Sequence, residues 1–183
     1  MLLLRCSVRL GTLVGHGSGD ALLLICGPPT GTTTLDPVGA ELFFELSRIV
    51  EASPERVFEA MTDPEQLAQW WGPEGFTCPE VILDAKVGGA YRIAMQPPEG
   101  ELFHLAGEYL EVQPPTRLAY TFRWEPADPH DRETVVRLAL HARDGATEVV
   151  LIQGLFATEE RRELHRAGWT DTFARLAGYL APA

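Results

Sequence analysis

The pattern of apolar and polar residues from 41 to 180 predicts one strand, two short helices, six consecutive strands and a long terminal helix. Apolar residues recur at every second position in the strands, and Pro or Gly residues stand at the joints, which is typical of an antiparallel meander. We therefore predict an α+β fold in which a seven-stranded antiparallel, curved sheet surrounds the C-terminal helix. Such a sheet buries one face, and an apolar hollow between this face and the helix is a usual place for a small molecule.

The strand boundaries follow from the turn residues. We predict strands over 42–50, 76–83, 90–96, 101–112, 117–124, 133–141 and 147–153. Ser53-Pro54 and Asp63-Pro64 each begin a short helix, because a capping side chain precedes a proline that suits the first helical position. Gln66 falls at the capping-box position of the second helix.

The long helix is predicted to begin near Thr158. Its apolar residues recur at intervals of four, three and four, which is a helical stripe. The stripe consists of Trp169, Phe173, Leu176 and Leu180. This stripe is expected to pack on the apolar face of the sheet.

Alternation along the central strands separates the two faces of the sheet. The apolar face carries Phe103, Leu105, Tyr109, Leu118, Tyr120, Phe122, Trp124, Val136, Leu138 and Leu140. The opposite face carries His104, Glu108, Thr121, Arg123, Arg137 and His141. The second set includes an acid, a base and a cation, so it could form a catalytic cluster. We favour a solvated surface with cross-strand charge pairs, because the period of two directs these side chains away from the hollow.

Composition restricts the classes of partner. The 183 residues suffice for one domain with a sizeable core. A net charge of −11, from 15 Lys+Arg and 26 Asp+Glu, argues against nucleic acid or an anionic membrane as the partner. The three cysteines form no C-x-x-C pair, which fits a reducing, cytoplasmic location and provides neither a disulfide framework nor a zinc site.

The first forty residues differ from the rest of the chain, since they are rich in Gly, Pro and Thr and have no sustained period. Their longest apolar run, Ala21 to Cys26, is far shorter than the roughly 20 residues that span a bilayer. We expect residues 1–40 to be a disordered extension or the product of a start codon placed upstream of the real one. The domain is expected to cover residues 41–183.

Six short motifs occur in the order seen in one protein family. They are Ser53-Pro54, Trp70-Trp71-Gly72-Pro73, Gly88-Gly89-Ala90-Tyr91-Arg92, Gly107-Glu108-Tyr109, Pro115-x-Arg117-Leu118 and Gly168-Trp169. Over about residues 42–180 the chain resembles the Hsp90-ATPase-activator-homologue-like family of the START/Bet v1-like (SRPBCC) superfamily. The resemblance implies a helix-grip fold with a cavity between the sheet and the C-terminal helix. Members of the superfamily include lipid carriers, polyketide cyclases and plant hormone-binding proteins, and the family takes its name from a co-chaperone.

Aromatic residues are the expected lining of this cavity. The candidate ligand-binding residues are Trp70, Trp71, Tyr91, Phe103, Tyr109, Tyr120, Phe122, Trp124, Trp169 and Phe173. The paired tryptophans could wedge the helices against the sheet, line the cavity entrance, or do both, since adjacent helical residues point about 100° apart. The tyrosine hydroxyls could orient a ligand carbonyl or bond backbone at the rim. For His165, a place at the groove mouth with hydrogen bonds to the backbone is favoured over an acid–base role.

Three functions are compatible with the sequence. The first is a carrier or sensor for a small apolar or aromatic ligand, the second a cyclase or hydrolase that uses pocket tyrosines or His165, and the third a co-chaperone-like interaction with Hsp90. We find no nucleophile–base pair, metal-ligand spacing or cofactor fingerprint, so no catalytic residue, metal or cofactor is assigned. We favour the first function, with a small hydrophobic molecule as the partner and a homodimer left open.

Overall fold

The computed structural model describes residues 42–127 and 129–182. The predicted extension over residues 1–40 therefore lies outside the described residues. The elements are β1 Phe43–Val50, α1 Pro54–Thr62, α2 Pro64–Trp70, β2 Val81–Leu83, β3 Ala90–Met95, β4 Phe103–Gln113, β5 Arg117–Glu125, β6 Thr134–Arg143, β7 Ala146–Gly154 and α3 Glu159–Tyr179. This order confirms the predicted α+β arrangement.

The strands form one seven-stranded antiparallel sheet in the order β1-β7-β6-β5-β4-β3-β2. Consecutive strands from β2 to β7 are neighbours, as in a meander, and β1 joins the far side beside β7. Phe43 lies opposite Gly154 and Val50 lies opposite Thr147, so β1 pairs along its whole length. The first and last strands of the chain are thereby held together.

Side-chain caps begin all three helices. Ser53 Oγ accepts from Arg56 N at 3.4 Å and Asp63 Oδ1 accepts from Gln66 N at 2.8 Å. Thr158 caps α3 in the same way and accepts from the backbone of Arg161. The capping box predicted for α2 is only half made, because Gln66 Oε1 is buried and has no hydrogen-bond partner among the described residues.

The second strand is much shorter than predicted. In place of a strand over 76–83, the ladder is continuous only over Val81–Leu83, and Thr77 makes one isolated bridge to Gln96. Pro79 has no N–H to donate, which interrupts the ladder between these two contacts. The preceding segment instead forms a loop that packs against α3.

The predicted separation of the two faces agrees with the structure. On α3, Trp169, Phe173 and Leu176 are at most 4% exposed and pack over the inner face of the sheet. On the outer face Arg123 forms ion pairs with Glu125 and Glu133. These charges are half-exposed and belong to the solvated surface. No helix in the described part of the chain is long and apolar enough to cross a membrane.

Candidate ligand-binding site

A pocket of about 580 Å³ lies between the inner face of the sheet and α3. Its third wall is the loop after α2, which contributes Trp71, Gly72, Pro73 and Phe76. A volume of this size is within the range of small-molecule sites, which is about 300–1,000 Å³. The pocket is therefore large enough for a ligand of several rings.

Six aromatic side chains line this pocket. They are Trp71, Phe76, Phe103, Phe122, Trp124 and Trp169. Their rings meet mostly edge to face, with centroids 5.3 Å apart for Phe103 and Trp124 and 5.1 Å apart for Phe122 and Trp124. Such a wall offers ring faces and ring edges for dispersion and stacking, and very little charge.

A second, inner cavity of about 20 Å³ lies deeper against the sheet. Tyr91, Tyr109 and Tyr120 line it, together with aliphatic side chains and Trp70. Its volume is enough for about one water-sized group. Trp71 and Trp169 border both spaces, and their rings meet edge to face at 5.1 Å. These two indoles therefore form the partition between the pocket and the inner cavity.

The structure divides the predicted aromatic residues between these two spaces. Trp71, Phe103, Phe122, Trp124 and Trp169 line the pocket, whereas Trp70, Tyr91, Tyr109 and Tyr120 line only the inner cavity. Phe173, which was predicted to bind ligand, lines neither. It is 1% exposed and packs on Trp169 with a ring-centroid distance of 5.7 Å, so it is part of the core.

The paired tryptophans play both of the predicted roles. Trp70 is 1% exposed and its indole N–H donates to Ala60 O at 3.0 Å, which anchors α2 to α1. Trp71 points in a different direction and lines the pocket. Trp70 therefore wedges the helix pair in place, and Trp71 lines the pocket.

Several lining residues on α3 were missed by the sequence analysis. Arg161, Leu164, Gly168 and Thr172 line the pocket and recur at intervals of three, four and four. This spacing is a second helical stripe beside the apolar one, and it could have been found by the same periodicity. The loop residues Gly72, Pro73 and Phe76 carry no comparable signal, because their position depends on a contact with α3.

That contact is made by Arg175. Its Nη1 lies 3.0 Å from the backbone oxygens of Trp71, Pro73 and Phe76 and 3.2 Å from that of Gly72. One guanidinium on α3 thus binds several carbonyls of the loop wall. Hydrogen bonds from a charged donor are stronger than neutral ones, so this group holds the loop wall at a fixed distance from the helix.

His165 is buried in a network of side chains, which corrects the prediction of hydrogen bonds to the backbone. Its Nδ1 lies 3.2 Å from Gln153 Nε2, and its Nε2 lies 3.2 Å from Asp131 Oδ2. Gln153 also accepts from Trp169 Nε1 at 2.7 Å and donates to Thr134 Oγ1 at 2.8 Å. The histidine is 5% exposed where it borders the pocket.

The network fixes the proton position on His165. The indole of Trp169 can only donate, so it fixes the carbonyl end of Gln153, and the amide NH2 of Gln153 then faces Nδ1. Nδ1 must accept, and the single proton of the neutral ring lies on Nε2, which donates to Asp131. The indole N–H of Trp124 lies 3.3 Å from the same Nε2 and could donate to it only in the opposite tautomer.

Burial lowers the pKa of His165 below its usual 6.5, against the opposing effect of Asp131. If the ring were protonated, the N–H at Nδ1 would also point at the NH2 group of Gln153, so that one donor would face another. Both nitrogens are therefore occupied, and neither is available to a substrate in this arrangement. The geometry gives His165 the role of a structural link between the sheet and α3.

The three tyrosine hydroxyls differ in their partners. Tyr91 donates to the backbone oxygen of Thr121 at 2.6 Å. The hydroxyls of Tyr109 and Tyr120 have no hydrogen-bond partner among the described residues. Burial raises the pKa of Tyr109 to about 12 and that of Tyr91 and Tyr120 well above 10, so all three remain protonated donors. Within the described residues there is no group of three His, Cys, Asp or Glu side chains that could hold a metal ion.

The fold and the pocket together define a helix-grip protein of the START/Bet v1-like superfamily. The family model for Activator of Hsp90 ATPase homolog 1-like protein matches residues 51–181, and the chain belongs to this family. A comparison with curated proteins gave no match.

Solved structures agree with this assignment. The chain is 31% identical to protein CV1439 from Chromobacterium violaceum, with a TM-score of 0.70 over 77% of this chain and 98% of that one. The AHSA1 protein from Silicibacter pomeroyi is 30% identical, with a TM-score of 0.67 and coverage of 76% and 97%. Protein NE0264 from Nitrosomonas europaea is 28% identical, with a TM-score of 0.66 and coverage of 78% and 96%.

Proposed function

We propose that this protein binds a small, flat, largely apolar molecule in the pocket between the sheet and α3, and acts as its carrier or sensor. The observation that carries the proposal is the pocket of about 580 Å³ with six aromatic side chains in its wall. Stacking and dispersion against such a wall favour fused or substituted rings. Binding should depend little on salt, because few charged groups line the space.

The arrangement of the polar groups supports binding over catalysis. A general acid or base has to reach the proton that it transfers. Both nitrogens of His165 are occupied by Gln153 and Asp131, and the hydroxyl of Tyr91 is bonded to backbone. Of the groups that the sequence offered for a cyclase- or hydrolase-type activity, only Tyr109 and Tyr120 then remain, and burial raises the pKa values of both away from neutrality.

The test is a pair of matched substitutions on α3. Gly168 borders the pocket, and a Cβ built there meets only Pro73 at 3.8 Å, so Gly168→Leu should fit the backbone and fill the pocket. Gly178 is exposed on the same helix with no atom within 4 Å of such a Cβ, so Gly178→Leu makes the same chemical change away from the pocket. Both changes remove a helix-weakening glycine, and neither should unfold the protein.

The measurement is a screen of planar aromatics, flavonoids and fatty acids, followed by thermal shift and by tryptophan fluorescence. A ligand at 100 times its dissociation constant should stabilise the native protein by about 2.7 kcal/mol. Gly168→Leu should abolish this shift, whereas Gly178→Leu should keep it. If no apolar molecule shifts the melt of the unsubstituted protein, the carrier or sensor function is wrong.

The family description supports a second candidate, a co-chaperone-like interaction with Hsp90. Stimulation of the Hsp90 ATPase by the purified protein would be the direct measurement. If the protein stimulates the Hsp90 ATPase and no apolar molecule shifts its melting temperature, the co-chaperone-like interaction replaces the carrier or sensor function.

A further inference from the structure

The inner cavity has an unusual chemical lining. Tyr91, Tyr109 and Tyr120 come from β3, β4 and β5 and pack together, with ring centroids 5.4 to 5.8 Å apart. Tyr109 lies directly opposite Tyr120 in the β4–β5 ladder. Three phenol side chains therefore meet in a space of about 20 Å³ in an otherwise apolar core.

Three hydrogen-bond donors that line this cavity have no partner among the described residues. The hydroxyl of Tyr91 is used by the backbone oxygen of Thr121. The hydroxyls of Tyr109 and Tyr120 and the indole N–H of Trp71 have no partner among the described residues, although each of these side chains is more than nine-tenths buried. Among the described side chains only Gln66 Oε1 is both fully enclosed and unpartnered, so these three groups retain open space beside them. A buried donor without an acceptor costs free energy, which an acceptor in the cavity would recover.

We infer that the inner cavity is a polar subsite that takes one uncharged oxygen acceptor, such as a ketone or aldehyde carbonyl, of a ligand whose rings fill the larger pocket. The inference rests on the proposed function and specifies the chemical class of the ligand. The cavity admits about one water-sized group, which suits a single oxygen and excludes a carboxylate or a sulfonate. A carboxylate would also be buried without a cation, which is costly.

The partition between the two spaces shows how the acceptor enters. Trp169 is held in place, since its indole N–H donates to Gln153 at 2.7 Å. The ring of Trp71 has no such bond, while its backbone oxygen is fixed by Arg175. Rotation of the Trp71 ring would therefore join the pocket to the inner cavity and bring its N–H toward the entering oxygen.

The experiment compares fluorene and fluorenone, two flat tricyclic probes that differ by one carbonyl. Their dissociation constants are measured for the unsubstituted protein, for Tyr109→Phe, for Tyr120→Phe and for the double variant. Losing the hydrogen bonds should weaken fluorenone binding by about tenfold and leave fluorene binding unchanged within about twofold. The infrared carbonyl band of bound fluorenone should move to higher wavenumber in the double variant. If the double variant fails to fold, the single variants give the same comparison.

Tyr179→Phe is the matched control, because it removes a tyrosine hydroxyl at an exposed position of α3 that lines neither the pocket nor the inner cavity. It should leave both dissociation constants unchanged. If it weakens fluorenone as much as the double variant does, the effect does not come from the cavity and the inference is overturned. If both probes bind and no tyrosine variant distinguishes them, the cavity holds solvent only, and the proposed function stands without the subsite. If neither probe binds the unsubstituted protein, the proposed function and this inference fail together.

Discussion

At the scale of single residues, Gln153 connects β7 to α3 through one amide group. It accepts from Trp169, donates to Thr134 and faces Nδ1 of His165. The indole of Trp169 can only donate, so it fixes the orientation of the Gln153 amide, and the other proton positions in the network follow from that orientation. A histidine that the sequence presents as a candidate acid or base is thereby kept neutral by its neighbours.

The neutral state of His165 predicts a pH dependence of stability. The pKa of this histidine is lowered from 6.5 in the folded protein, so below about pH 6.5 the unfolded chain binds the proton more readily than the native state does. The stabilising effect is fully present above that pH and is lost as the pH falls below it. Glu125, whose pKa is lowered from 4.5, contributes only at more acidic pH. Urea unfolding at about pH 7.5 and about pH 5.5 should show this loss.

The matched variants for this prediction are His165→Gln and His141→Gln. Glutamine at 165 keeps one acceptor and one donor without a titrating group, so the loss of stability between the two pH values should shrink. His141 is exposed, and replacing it should leave the pH dependence unchanged. Equal pH dependence of the unsubstituted protein and His165→Gln would show that another group is responsible.

At the scale of elements, β4 is adapted to the tyrosine beside it. Gly107 lies opposite Tyr91 in the β3–β4 ladder, and a Cβ there would lie 2.7 Å from the Tyr91 ring and 2.0 Å from Thr121 O. The missing side chain lets the Tyr91 ring cross β4 and donate to β5. The glycine of the motif Gly107-Glu108-Tyr109 is therefore required by packing, because any side chain there would collide with the Tyr91 ring and with β5.

Gly107→Ala should destabilise the fold strongly, by about 3 kcal/mol, because the nearest obstacle is backbone that cannot move without separating β4 from β5. Gly178→Ala is the control on α3, where open space surrounds the position and alanine should be neutral or stabilising by up to about 1 kcal/mol. The measurement is the free energy of unfolding in urea. A cost below about 0.5 kcal/mol for Gly107→Ala would mean that the strands at this position are more widely separated than described.

At the scale of the whole molecule, the described fold begins at Leu42, whose backbone oxygen accepts from Phe156 N at 2.8 Å. The next eight residues form β1 and pair with β7 along their length. Among the described residues, contacts of the sheet are therefore already made at Leu42, downstream of Pro37.

Limited proteolysis should trim the chain to near Pro37 without a change in melting temperature, as expected if residues 1–40 lie outside the domain. A truncation that starts at Glu51 should in contrast lower the melting temperature sharply, because it removes β1 and exposes the edge of β7. Differential scanning calorimetry of the two fragments and the full chain is the measurement. A large drop for the fragment that starts near Pro37 would place part of residues 1–40 in the core.

The sequence by itself determined the element order, the two faces of the sheet and the stripe of α3. These features depend on local periodicity, so Trp169 on the helix and Tyr120 on its strand could be assigned to the inner face from neighbouring residues alone. The caps at Ser53, Asp63 and Thr158 are likewise local, since each side chain bonds an amide three residues away.

Only the tertiary structure decided how the aromatic residues are divided between the pocket and the inner cavity, and which polar groups already have a hydrogen-bond partner. Tyr91 reaches Thr121 across 30 positions, and Arg175 reaches Trp71 across 104. Periodicity assigns a side chain to a face but not to a neighbour, so Phe173 was mistaken for a lining residue. The division between pocket and inner cavity depends on where Trp71 and Trp169 meet, and that contact exists only after the loop, the helix and the sheet have packed together.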